Sequence, residues 1–165
     1  MKFTIQCNDI SLGSTVDIFK TVLAAYNANT VGYRFKLLRM KVAFADDTPA
    51  DAQIGIQLKR VASVSAGGAG TYASAVTPNK VDTESRASIV TAGEDCITSG
   101  GVEPTTYETD PLDSFEVNAR NGLLEVWDYE DAYTLHKDQL LGVLMAPRDG
   151  GTAYQATVTL TIEEF

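Results

Sequence analysis

With 165 residues and an apolar fraction of 44%, the chain is long enough to bury a core in one domain and too hydrophobic to stay disordered. Its 13 Lys and Arg against 22 Asp and Glu leave a net charge of −9. A field of that sign repels phosphate and argues against nucleic acid or an anionic membrane as partner.

No stretch approaches the roughly 20 apolar residues of a membrane helix, and the opening MKFTIQCNDI begins like a strand rather than a signal peptide. Val16 to Tyr26 admits two readings. Val16, Phe19, Val22, Leu23 and Tyr26 would make a helical stripe, whereas Phe19, Thr21, Leu23 and Ala25 would make one face of a strand. The strand is favoured, because the segment sits among strands and ends at the turn-like stretch Asn27–Gly32.

Between Tyr33 and Phe44 the alternation changes phase. Tyr33, Phe35 and Leu37 fall on one face; Leu38, Met40, Val42 and Phe44 fall on the other. Arg34 and Lys36 would then lie opposite Arg39 and Lys41. The switch at Leu37-Leu38 predicts a β-bulge or a strand that passes between sheets. The acidic, Pro-containing stretch Asp46–Asp51 reads as a turn. In Gln53–Lys59 the residues Ile54, Ile56 and Leu58 should point inward.

Ser65–Gly70 is a glycine-rich loop and not a phosphate cradle, since no Lys-Ser/Thr follows it. Further strands are expected near Arg86–Thr91, Val102–Glu108, Ser114–Val117, Leu123–Tyr129 and Leu140–Ala146, with a loop over Thr91–Gly101. Arg148–Gly151 reads as a hairpin turn leading into the last strand. That strand, Ala156–Glu163, alternates without a slip. Val158, Leu160 and Ile162 should be buried, each stabilising the fold by about 1.5–3 kcal/mol, and Thr157, Thr159 and Thr161 should face outward.

About ten short strands divided by turn signals predict an all-β fold, a two-sheet antiparallel β-sandwich spanning residues 1–165 as one domain. The long connections Ser65–Ser85 and Gly93–Gly101 suit a jelly roll, whose strands cross between sheets, better than a meander.

Catalytic and metal-binding constellations are sparse. His136 is the single histidine, so neither a multi-histidine metal site nor an elbow-borne triad can be assembled around it. It reads as a polar loop residue. Cys7 and Cys96 do not make a disulfide framework and are expected to be reduced and buried. The carboxylate pairs Asp46/Asp47, Asp110/Asp113 and Glu130/Asp131 read as solvated surface. The run Asp128-Tyr-Glu-Asp131 lacks the calcium-loop pattern, though it leaves a structural calcium open. The expectation is a protein that is not an enzyme, with no catalytic residue, no cofactor and no transition metal.

The only tryptophan, Trp127, lies in a segment apolar on both faces: Leu124 and Val126 on one, Leu123, Trp127 and Tyr129 on the other. A strand apolar on both sides is normally covered on both. A sandwich core covers one, and a loop, a second subunit or a stacked ligand must cover the second. With Tyr33 and Phe35, the residues Leu123, Trp127 and Tyr129 are therefore the candidate oligomer or partner interface.

Several segments taken together resemble the small jelly-roll decoration, or cement, proteins of tailed phages. They are FKTVLAAY (Phe19–Tyr26), the Phe35–Phe44 and IGIQLKR strands, the Gly/Ala-rich break followed by VTPNKVDTESRAS (Val76–Ser88), and the ending LLGVLMAPRDGG…YQATVTLTIEEF. The resemblance runs through nearly the whole chain and concerns fold and loop plan rather than a chemical site. It implies a structural virion protein on the capsid surface, made in the host cytoplasm. Such a protein would be a homo-oligomer, a trimer, bound to the major capsid protein, with neither nucleic acid nor membrane as partner. A carbohydrate-binding module or phage adhesin domain on the same fold is the alternative. It would place Trp127 with some of Tyr107, Tyr129, Tyr133 and Tyr154 in an exposed row.

Overall fold

The computed structural model describes residues 1–28, 32–45, 51–64, 70, 72–81, 86–94, 102–104, 106–149 and 154–165. Cys96, the Asp46/Asp47 pair and nearly all of the glycine-rich stretch at 65–70 lie outside the described residues. The described residues contain twelve strands and no helix. These are β1 (Lys2–Ser11), β2 (Lys20–Asn27), β3 (Phe35–Phe44), β4 (Gln53–Val61), β5 (Ser74–Val76), β6 (Asn79–Lys80), β7 (Val90–Glu94), β8 (Asp113–Asn118), β9 (Leu123–Val126), β10 (Thr134–Leu135), β11 (Leu140–Pro147) and β12 (Gln155–Glu164).

They form two antiparallel sheets packed face to face. The first runs β10–β3–β12–β1–β6, with β9 also on β3; the second runs β5–β7–β2–β11–β4–β8. Since β12 takes the other side of β3, β9 and β10 share one edge of it: Leu123–Val126 opposite Val42–Arg39, then Thr134–Leu135 opposite Lys36–Phe35. The two short strands are one edge interrupted by a surface excursion. The long strands β1, β2, β3 and β4 alternate between the sheets, as do β11 and β12.

The core lies between the sheets. From the first come Phe3, Ile5, Phe35, Leu37, Met40, Val42, Val158, Leu160 and Ile162; from the second come Leu23, Ile54, Ile56, Leu58, Leu141, Val143 and Met145. The inward set of β12 and that of β4 are those the alternation predicts, and Thr157, Thr159 and Thr161 are only half-buried on the outer side. Cys7 is buried within the same core.

The switch at Leu37-Leu38 in β3 is a bulge, as one of its two readings predicts: Thr161 pairs with Arg39 and Ile162 with Leu37, so Leu38 is the extra residue. The placing of its two halves on opposite faces is corrected, with three further expectations. One inserted residue re-aims the strand by a side. Phe35 and Leu37 therefore enter the same core as Met40 and Val42, and Lys36, Arg39 and Lys41 all lie outward. β11 and β12 do not form the hairpin expected around Arg148–Gly151, because β11 lies between β2 and β4 and β12 between β3 and β1; Gly150 and Gly151 themselves lie outside the described residues. Turn residues report a change of direction and not which sheet receives the next strand. Residues 91–94 belong to a strand rather than a loop, paired with β2. In the Val102–Glu108 segment the described residues form isolated bridges rather than a strand, among them Tyr107 to Val61.

The segment Val16–Tyr26 does become a strand from Lys20 onward, buried on both sides. So is all of β11, a hydrophobic run that needs cover on both faces. The outer cover is a second cluster in which Ala24, Val61 and Leu140 meet Tyr26, Val64, Tyr72 and Tyr107. Gly93 and Gly142 make room for it. A Cβ at Gly93 would strike the Tyr72 ring, and one at Gly142 the Tyr107 phenol. A clasp holds the cover down: the Thr21 amide donates to Glu103 Oε1 (2.8 Å), and Thr21 Oγ1 lies 2.9 Å from the Tyr107 hydroxyl. It sits where β2 slips register against β11 and the Thr21 amide would otherwise miss its strand partner.

Candidate docking surface

The outer face of the first sheet is built differently. In β9, Leu123 and Glu125 pair with Val42 and Met40, whose side chains enter the core; Leu124 and Val126 pair with Lys41 and Arg39, which point out. Leu124 and Val126 are accordingly 56% and 66% exposed. Beyond the exposed Arg39 and Lys41 runs the row Thr157, Thr159 and Thr161, and then Gln6 on β1. Thr159 Oγ1 donates to Gln6 Oε1 (3.2 Å), and Gln6 Nε2 donates to Asn8 Oδ1 (2.6 Å), which fixes this flat polar field.

Both ends of β9 carry charge. Before it stands the exposed Arg120, in a turn closed by the Arg120 amide on Asn118 Oδ1 (3.0 Å). Gly122 completes that turn at φ +61, where a Cβ would strike the Val42 carbonyl. After β9 come the exposed Asp128, Tyr129, Glu130 and Asp131, turned by the Asp131 amide on the Asp128 carbonyl (3.0 Å). Among the described residues, neither the cations Arg39, Lys41 and Arg120 nor the anions Asp128, Glu130 and Asp131 form an ion pair; the five ion pairs found lie elsewhere.

The five residues singled out from sequence do not form one surface. Phe35 is fully buried. Leu123 and Trp127 are half-buried and pack against the core, and Trp127 meets Tyr133 edge-on with ring centroids 5.5 Å apart. Tyr33 is exposed under Arg86, whose guanidinium lies 4.8 Å from the ring centroid. Tyr33 and Leu123 flank opposite ends of β3, roughly 25–30 Å apart at the rise of a strand. Tyr129 is half exposed, and Lys36 Nζ sits 3.9 Å from its ring centroid while donating to its carbonyl. What the sequence reading passed over is Leu124 and Val126, on the opposite face of the strand it had picked out.

The aromatic residues of the carbohydrate-binding reading are likewise dispersed. Tyr154 is 3% exposed, Tyr107 sits over Gly142, and Tyr133 donates its hydroxyl to the Leu112 carbonyl (3.1 Å). Burial, then the nearby Asp113 charge, pushes the Tyr133 phenol above its ordinary value.

The remaining polar clusters close on themselves. Arg148 binds Asp17 and Glu116, and those hydrogen bonds, Glu116 first, hold it further in its charged form. Glu164, 1% exposed, accepts from Arg86 Nη2 (3.1 Å) and the Ile89 amide (3.0 Å). His136 is exposed in a turn where its amide donates to Gln139 Oε1 (2.9 Å). Among the described residues no three His, Cys, Asp or Glu side chains are grouped to hold a metal ion, and no helix is long and apolar enough to cross a membrane. No protein-family model, no curated protein and no solved structure matches the chain.

Proposed function

We propose that this protein is a non-catalytic structural component of a virus particle, a jelly-roll decoration or cement protein that docks on a phage head through its major capsid protein. The observation that carries this reading is the asymmetry of the two outer faces. The second sheet is covered by the chain's own Tyr72 and Tyr107 segments. Among the described residues the first carries no such cover, and it presents a flat threonine field, outward cations and an apolar strand edge side by side. A stiff body with one prepared face suits docking, and repetition on a shell multiplies weak contacts into firm attachment.

The strand order supports the jelly-roll assignment. The orders β1–β12–β3–β9 and β2–β11–β4–β8 are those that two interleaved Greek keys produce. The sequence resemblance to phage cement proteins points the same way.

The test is co-sedimentation of the purified protein with heads assembled from the major capsid protein encoded beside it. Saturable binding in a fixed ratio to the capsid subunit is expected. A genome without a neighbouring capsid gene, or heads that leave the protein in solution, would contradict the proposal.

A further inference from the structure

We infer that the β9 edge is a self-recognition site, where a second copy of this chain adds its own β9 antiparallel to the first and joins the two open sheets across a two-fold axis. This goes beyond the capsid reading and does not depend on it.

Among the described residues β9 pairs only with β3, and none of them pairs along its other edge. Open edges invite another strand, and proteins blunt them with charged or proline residues. Here the outward residues are instead Leu124 and Val126, both mostly exposed. The charge along the edge is polar in direction, with Arg120 before the strand and Asp128, Glu130 and Asp131 after it, none of them ion-paired among the described residues. Antiparallel pairing with a copy of itself reverses one edge against the other. The basic start of each strand then meets the acidic end of its partner, twice, as an isologous contact requires. A chain of net charge −9 otherwise repels its own copies, so this local complementarity is what selects the edge.

The register follows from side-chain parity. Outward residues must oppose outward residues, so the axis passes through Leu123, Leu124, Glu125 or Val126. An axis at Leu123 stops Arg120 short of the acidic turn. An axis at Glu125 would set two carboxylates face to face, which is destabilising. An axis at Val126 carries Arg120 past the acidic turn. An axis at Leu124 opposes Leu124 to Leu124 and Leu123 to Glu125, and brings the Arg120 turn of each copy towards the Asp128–Asp131 turn of the other. The structure thus favours a dimer through this edge over the trimer expected from an aromatic face, whose Phe35, Leu123 and Trp127 already pack against the core.

Sedimentation equilibrium of the full chain tests this, with variants at exposed positions that the fold tolerates. The wild type should form a dimer. Leu124→Lys should abolish it, and Arg120→Asp should weaken it by about tenfold or more, since like charges then face each other across the contact. The double variant Arg120→Asp/Asp128→Arg should recover most of the affinity, an outcome that general surface damage would not give. A wild-type monomer at high micromolar concentration would overturn the inference. So would any oligomer indifferent to Leu124→Lys, or a double variant as weak as Arg120→Asp alone. Each reading is made without capsid, so failure here leaves the head-binding test untouched.

Discussion

The phenol of Tyr107 occupies the space that a side chain at Gly142 would fill. That single vacancy lets the segment around Tyr107 lie flat on β11, and with Tyr72 over Gly93 it closes the outer face of the second sheet. Gly142→Val should therefore expel Tyr107 and cost about 1–3 kcal/mol, the usual penalty for overpacking. Chemical denaturation measures it. Gly13 is the control, because a Cβ there meets nothing within 4 Å; its φ of +72 should make Gly13→Ala costly through backbone strain alone, leaving Tyr107 in place by tyrosine fluorescence.

Leu160 is fully buried in the middle of β12, opposite Ile5 and Met40. Leu160→Ala should lower unfolding stability by about 2–5 kcal/mol, through lost transfer energy and the cavity left behind. Thr159→Ala, one residue away on the outer face, should change it by about 0.5 kcal/mol or less. Equal costs at the two positions would mean that the register is wrong.

Glu164 accepts from Arg86, Ser88 and the Ile89 amide while shielded from water. Glu164→Ala should cost about 1–3 kcal/mol, chiefly by leaving the Ile89 amide without a partner. Amide hydrogen exchange at residues 86–90 should rise more than exchange in β4, because the carboxylate ties that segment to the end of β12.

Tyr26, Tyr133 and Tyr154 each have a phenol pushed above the ordinary value of 10.0, by burial first and by a neighbouring aspartate second. A folded-state value above the unfolded one means that the unfolded chain loses its protons first. The stability these neutral phenols supply is complete below about pH 10 and is lost as pH rises through the higher folded values. The urea midpoint should fall as pH rises above about 10, and Tyr133→Phe should shrink that fall. A midpoint that rises with pH in this window would contradict the assignment.

Much of the sandwich is legible in the sequence, because β4 and β12 alternate and each has one wet face. The β3 phase change is legible as well, but its consequence is not: only the pairing with β12 shows that Leu38 is extra and that both halves enter one core. The turn residues after β11 announce a reversal without saying which sheet comes next. At β9 the two apolar faces can be read by parity. Which one is spare depends on Met40 and Val42 across the ladder, and the aromatic bulk of Trp127 marks the side that packs against the core. The glycine seats under Tyr72 and Tyr107 join positions far apart in the chain, and no local pattern announces them.

The proposed function has the outer face of the first sheet dock on a virus head. Cryo-electron microscopy of heads saturated with the purified protein tests it most directly. The account predicts symmetric density on the outside of the shell, with the face bearing Arg39, Lys41, Leu124 and Val126 engaged in contacts to the capsid or to a second copy. Undecorated heads, or density in which that face looks out to solvent while the Tyr72 and Tyr107 side makes every contact, would contradict it.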